Sequence, residues 1–405
     1  MNKPLRFGLF GAGGFGAAHL AVMEKLEKEG LARLVCVADP FVDRLADVKA
    51  KVESRGARWH AKYQDLLAKE ADLDAISIAT PIHLHAQMAA ASLARGLFVY
   101  LEKPPVPLIQ QLNDLIALDG RRKVAVGFPM ICAQNVRQLK QWISNGDLGE
   151  IETIRVNACW PRGNGYYQRA AWAGKMAVDG EAVFDGPATN ANAHLLHNVM
   201  FFAGNAMDHF DVPAEIEGEF YRARPIDSYD VASFRGRYES GTTFVFTVAH
   251  ATEESLPFRM EVRGKKGRAW IANNGSLLES DCGLVNKPPV SEDALLNSYH
   301  AFMEYVQGKR PDVPTSLVDA RGYLLASNGA LISSGGVHTI DQRYWRIYEK
   351  EGDQGYDVPG LAEMVKRSAE EGRLLSELGA PWGRKGSPVS VRGLRSLSLK
   401  DYLSH

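Results

Sequence analysis

From Arg6 to about residue 128, short apolar runs alternate with longer stretches whose apolar residues recur at roughly helical spacing. The runs Arg6–Phe10, Arg33–Ala38, Ala75–Ala79, Phe98–Leu101 and Val124–Val126 read as strands. The stretches Phe15–Glu29, Asp43–Ser54, Leu84–Arg95 and Leu108–Asp119 read as helices. This is the rhythm of βαβ units on a parallel sheet, and it predicts a doubly wound α/β domain over 1–128.

Beyond Gly127 the period shortens. A helix over Gln134–Ser144 ends at Asn145-Gly146, and alternating strands follow at Ile151–Cys159, Val231–Tyr238, Thr242–Ala249, Arg259–Val262 and Arg268–Ile271. Glycine-containing turns such as Glu239-Ser240-Gly241 join them. Helical spacing returns at Asp293–Gln307 and Leu317–Ser333. The prediction is an α+β domain over 129–338, with a large, mostly antiparallel sheet covered on one face by helices. The stretch 339–405 holds Gly and Pro clusters and the basic segment Arg384–Arg395 without clear periodicity, so an extended arm is expected there, wrapping a neighbouring subunit.

Composition narrows the class without naming a function. The 405 residues suffice for two cores, and 45% hydrophobic with 23% charged residues excludes a chain dominated by disorder. A formal net charge of −1 gives no general attraction to nucleic acid or an anionic bilayer. Cys36, Cys132, Cys159 and Cys282 show neither metal-ligand spacing nor a C-x-x-C pair, so free thiols and no metal are expected. Met1-Asn2-Lys3-Pro4 runs straight into the first strand, and no apolar run approaches the length of a membrane span, so a cytoplasmic protein is expected.

The chemistry begins at Gly11-Ala12-Gly13-Gly14-Phe15-Gly16, between the first strand and a helix. Glycines at these positions permit a tight turn, close approach of a pyrophosphate, and close helix packing, and the helix N-terminus offers unpaired N–H groups. Asp39 lies 23 residues beyond Gly16, at the end of the second strand. A carboxylate there accepts hydrogen bonds from an adenosine ribose and repels a 2′-phosphate, which favours NAD over NADP. Its alternative role is to cap the helix beginning near Val42, and Arg44 nearby keeps a phosphate open.

Two further motifs follow later strands: Thr80-Pro81-Ile82-His83-Leu84-His85 and Glu102-Lys103-Pro104. With the glycine turn, in this order and spacing, the chain resembles the Gfo/Idh/MocA family, the group of glucose-fructose oxidoreductase and inositol dehydrogenase. The resemblance implies that Lys103 lies near the nicotinamide and assists proton transfer at a substrate hydroxyl. An ammonium partly desolvated beside a cofactor has the lowered pKa that such a shuttle needs. Glu102 would orient the cofactor or the lysine, and Thr80 and Pro81 would shape the loop beneath the cofactor. His83 or His85 contacts its ribose or phosphates, or else begins the next helix.

Family members usually carry, in the second domain, an Asp and a His four residues apart on one helix, facing the substrate. Setting that histidine at His194 puts Asn190 in the aspartate's place, with Asn198 at the next turn. An amide binds a hydroxyl but accepts no proton, so acid/base duty falls on His194 and Lys103. Upstream, Trp160 to Trp172 is rich in aromatic residues; Arg162, Asn164 and Tyr167 fit either a carbohydrate pocket or a subunit interface.

The resemblance thus implies an NAD-dependent oxidoreductase acting on a secondary hydroxyl of a sugar, cyclitol or derivative, in a homo-oligomer (dimer or tetramer). Two alternatives use the same parts. One is a redox-neutral glycoside hydrolase, lyase or isomerase that works by transient oxidation; the other is a non-catalytic NAD- or sugar-sensing regulator.

Overall fold

The computed structural model of the protein describes residues 3–286 and 293–402. Met1-Asn2, ahead of the first strand, and 403–405, at the end of the expected arm, lie outside the described residues. The chain divides into two compact units, residues 1–106, 111–129 and 293–320 in the first and 107–110, 130–292 and 321–405 in the second.

The first unit is built on six strands: β1 Leu5–Phe10, β2 Ala32–Ala38, β3 Arg58–His60, β4 Ala75–Ile78, β5 Phe98–Glu102 and β6 Val124–Gly127. They lie in the order β3-β2-β1-β4-β5-β6, all parallel. The order reverses between β1 and β4, the crevice where open α/β sheets bind ligands. β4 and β6 are buried along their whole length, as strands covered on both faces must be. β3 was not anticipated. It is a short polar edge strand held by side chains, with His60 Nε2 2.9 Å from the Glu70 carboxylate and Arg58 paired to the same group.

The helix Ala294–Val306, expected in the second domain, belongs to the first unit. Leu295, Tyr299, Phe302 and Met303 form one helical stripe and join the core around Phe7 and Tyr100. Tyr299 stacks on Tyr100 with ring centroids 4.2 Å apart.

The second unit carries a nine-stranded sheet: β7 Ile151–Cys159, β8 Glu215–Arg222, β9 Val231–Arg237, β10 Thr243–Ala249, β11 Leu256–Gly264, β12 Gly267–Ala272, β13 Leu277–Ser280, β14 Val337–Thr339 and β15 Val389–Ser390. The order is β13-β12-β11-β7-β10-β9-β8-β14, with β15 also on β8. Pairing is antiparallel except for β7 with β10 and β8 with β14. On one face the helix Arg321–Ser334 packs against β8, and Phe220, Phe234 and Phe246 pack together.

The opposite face is covered by the stretch expected to form an arm. The helix Leu361–Glu371 lies on β7 and β10, where Ser368 Oγ is 2.6 Å from Thr247 Oγ1. Leu361, Val365 and Leu375 are fully buried in a core with Cys159, Tyr221 and Val231. A hairpin of Arg346–Lys350 with Asp353–Asp357 precedes that helix. Residues 339–402 are therefore part of the second unit's own core, because an apolar sheet face must be covered. Among the described residues, no helix is long and apolar enough to cross a membrane.

Candidate functional site

At the C-terminal end of β1 the chain turns through Gly11, whose φ of +83° suits glycine; a Cβ there would lie 2.7 Å from the Ala79 carbonyl oxygen. Gly16 opens the helix Gly16–Lys28, and a Cβ on it would stand 2.2 Å from the Gly11 carbonyl oxygen. Strand and helix approach so closely that neither position admits a side chain. Gly14 faces outward, where a Cβ would meet nothing within 4 Å, while a Cβ on Gly13 would lie 3.7 Å from the Leu45 side chain. Phe15 is 54% exposed at the helix N-terminus, with its ring edge on His19.

Asp39 follows β2 and is buried. One carboxylate oxygen accepts the Ala12 N–H at 2.9 Å and the other the Phe41 N–H at 2.9 Å. It braces the glycine turn from below, so its negative charge is fixed beside that turn.

The two loops after β4 and β5 meet at His85. Its Nδ1 lies 2.9 Å from the Pro104 carbonyl oxygen and its Nε2 2.9 Å from that of Thr80. Burial pulls the imidazole pKa down. The neutral ring donates through one nitrogen, so His85 sits between the two loops and hydrogen-bonds one of the two carbonyls. The expected cofactor contact is corrected for this residue, since the side chain is buried with a backbone carbonyl oxygen facing each ring nitrogen. His83, in the short turn Ile82–Leu84, is partly exposed, as are Thr80 and Pro81.

Glu102 ends β5, buried, with one carboxylate oxygen 3.1 Å from His19 Nε2 and the other accepting the Lys103 N–H at 3.1 Å. From Val99 through Ile109, Lys103 is the sole residue that is not fully buried. The fold thus opens this stretch at the lysine alone.

In the second unit, the segment around Asn190 is wound differently from the regular helix expected. Residues Pro187–Ala191 form a π-helical turn, with the Asn192 N–H bonded to the Pro187 carbonyl at 2.7 Å, and the α-helix Ala193–Ala203 follows. From Val183 through Phe202, the residues not fully buried are Asn190, Ala191 and His194. Asn198 does not share that opening. It is 1% exposed, its amide against the Met260 sulfur at 3.9 Å, one turn further along a helix whose residues from Leu195 to Phe202 are all buried.

Asp185 was not anticipated as a site residue. Its buried carboxylate accepts the Asn190 amide N–H at 2.7 Å and the Gly174 N–H at 2.7 Å, and the Arg169 guanidinium lies 4.0 Å away. A carboxylate only accepts, so the Asn190 nitrogen faces Asp185 and its carbonyl oxygen faces the other way. A carboxylate thus lies beside position 190, held five residues earlier in the chain.

The aromatic loop is largely engaged within itself. Tyr167 is nearly buried, its hydroxyl 3.0 Å from His250 Nδ1 and its ring 4.6 Å beneath the Arg224 guanidinium. Burial raises the Tyr167 hydroxyl and lowers His250, the latter helped by Arg162, Arg169 and Arg224. Arg162 lies over the Tyr166 ring at 4.9 Å, and Arg169 over the same ring at 3.7 Å. Arg162 keeps partial exposure; Tyr167 serves as packing.

Residues 5–128 match the family described as "Oxidoreductase family, NAD-binding Rossmann fold", and residues 136–270 match the "GFO/IDH/MocA C-terminal domain". Inositol 2-dehydrogenase 4 of Saccharopolyspora erythraea is 32% identical over 169 residues, 40% of this chain and 48% of that protein. Inositol 2-dehydrogenase of Corynebacterium glutamicum is 27% identical over 158 residues, 38% of this chain and 45% of that protein. The match thus spans about half the length of these curated relatives. Among solved structures, the WlbA dehydrogenase from Bordetella pertussis, in complex with NADH and UDP-GlcNAcA, aligns with a TM-score of 0.69 and 22% identity over 82% of this chain and 97% of its own. Levoglucosan dehydrogenase in complex with NADH aligns with a TM-score of 0.71 and 16% identity over 82% and 97%. At these identities the structures establish a shared fold. With both family domains matched in their proper order, the chain belongs to the Gfo/Idh/MocA family of oxidoreductases.

Proposed function

We propose that the protein is an NAD(H)-dependent oxidoreductase that interconverts a secondary hydroxyl and a carbonyl on a sugar, cyclitol or related polyol. The observation that carries this reading is selective exposure: two otherwise buried stretches open at Lys103 and at Asn190 to His194. Those are the positions where the family's motifs place chemistry. The relatives named as inositol 2-dehydrogenases and the neighbour named as levoglucosan dehydrogenase point to the same substrate class.

The glycine turn fits a dinucleotide. Gly14 leaves open space beside the turn, and the N-terminus of the helix Gly16–Lys28 would favour phosphates there. Asp39 would receive the adenosine ribose, and its charge disfavours a 2′-phosphate, so NAD is preferred over NADP. Thr80, Pro81 and His83 would line the cofactor loop. Bound NAD+ supplies the hydride acceptor. Lys103 holds the substrate hydroxyl and takes its proton in one direction, returning it in the other. His194 shares the proton transfer, Asn190 accepts a neighbouring hydroxyl through its carbonyl oxygen, and Asp185 fixes the orientation of that amide. Arg162, partly exposed, would contribute a donor to the substrate.

Incubating the protein with NAD+ and a panel of cyclitols, hexoses and uronates tests the reading. The expected result is a rise in absorbance at the NADH wavelength, with one NADH per keto product. Product without NADH would favour the redox-neutral class, and no reaction across the panel would overturn the proposal.

A further inference from the structure

A buried hydrogen-bonded chain runs behind Lys103. The Glu102 carboxylate meets His19 Nε2 at 3.1 Å, His19 Nδ1 meets the Tyr299 hydroxyl at 2.6 Å, and that hydroxyl meets Ser77 Oγ at 2.7 Å. His19 lies on the helix that follows the glycine turn, Ser77 on β4, Glu102 on β5 and Tyr299 on the helix Ala294–Val306. His19 and Tyr299 are 0% exposed, Ser77 1% and Glu102 6%.

Chemistry fixes the direction of the first bond. The carboxylate only accepts, so His19 Nε2 carries the proton between them, while the hydroxyls of Tyr299 and Ser77 can each donate or accept along the rest of the chain. Every member is satisfied, and burial leaves no water to replace a lost partner. The chain ends at a buried serine, so it is a tether and not a proton path to solvent.

We propose that His19 and Tyr299 are positioning residues: they hold Glu102, whose second oxygen holds the Lys103 backbone, and they tie the lysine loop to the cofactor helix. The proposal rests on the reading of Lys103 given above, and deepens it. Tyr299 is suited to the task because its ring is already fixed by stacking on Tyr100, so its hydroxyl is placed before any hydrogen bond forms. The segment bearing Tyr299 follows the second unit's sheet strands in sequence, yet it completes the first unit.

Tyr299→Phe deletes the hydroxyl and keeps the ring. His19→Gln offers an amide nitrogen and oxygen in place of Nε2 and Nδ1, whereas His19→Leu offers neither. Hydrogen exchange at the Lys103 amide, without substrate, reads the tether itself; kcat and the KM for NAD+ read its consequence. Exchange is expected to quicken about tenfold in Tyr299→Phe and His19→Leu, the loss of one ordinary hydrogen bond, and to return towards wild type in His19→Gln. Where turnover is found, kcat should fall in the same order while KM for NAD+ changes less than about threefold. Unchanged exchange in Tyr299→Phe and His19→Leu overturns the proposal, as does a loss of NAD+ affinity with kcat intact. Quickened exchange in a protein that oxidises no polyol leaves the tether standing and overturns the role of Lys103. If His19→Leu does not fold, the other two variants decide.

Discussion

On the function proposed above, Asp185 and Asn190 together would take the part of the single aspartate that the family resemblance places at position 190. At 2.7 Å the carboxylate fixes the amide, and the amide presents its oxygen. Asn190→Asp alone would set two carboxylates against each other, raising the pKa of one. That variant is expected to lose activity, although it restores the family's usual residue. Asp185→Asn should lose about 10- to 100-fold in kcat/KM, the loss of a buried charge-assisted hydrogen bond. The double exchange Asp185→Asn with Asn190→Asp should recover part of that loss, and steady-state kinetics on the three variants checks the pattern. The motif singled out Asn190 and His194, and both are partly exposed in an otherwise buried stretch. Asp185 escaped because it lies outside the i, i+4 spacing, and the π-helical turn that brings it round leaves no periodic signal. Asn198 was placed with them by helical spacing, which holds from His194 to Asn198, but spacing alone does not tell that the helix is buried there.

His197, one turn below the site and stacked on Phe210, is a separate test of burial. Desolvation pulls its pKa down to about 3. Unfolded, it titrates near 6.5. Between those values the unfolded chain holds a proton that the folded chain lacks, so stability is full above about 6.5 and is lost as pH falls towards 3. The slope is about 1.4 kcal/mol per pH unit. Urea denaturation at several pH values should show a shallower acid loss in His197→Phe than in wild type.

At the scale of elements, periodicity located what is regular. β7 has the bounds that its alternation implies, and the strands around the glycine turn are where the apolar runs lie. β3 was hidden because Arg58-Trp59-His60 is polar and its pairing is fixed by ion pairs with Glu70. The helix Leu361–Glu371 was hidden differently. Its buried Leu361, Ala362, Val365, Ser368 and Ala369 have helical spacing, but left-handed Gly360 and Gly372 bracket so short a stretch that it reads as loop. This helix covers a sheet face, and Val365→Asp would put a charge into that core. The expected cost is at least about 3 kcal/mol, seen as a lower melting temperature for the second unit. An unchanged melting temperature would contradict the assignment of that helix as a cover.

At the scale of the molecule, residues 339–402 close the sheet face within the chain, so a dimer or tetramer would have to associate through other surfaces. The fold neighbours align over 97% of their own length but 82% of this chain, as expected of a chain carrying added structure. The sequence pattern could not foresee that the segment bearing Tyr299 returns to the first unit. That return is a tertiary choice made by packing on Phe7 and Tyr100. Lys103 remains the residue on which the whole account turns. The most direct test is Lys103→Met, followed by NADH fluorescence titration and by turnover of the best polyol substrate. The account predicts NADH affinity within about threefold of wild type and a fall in kcat of about 100- to 10,000-fold. Full turnover in Lys103→Met would contradict it.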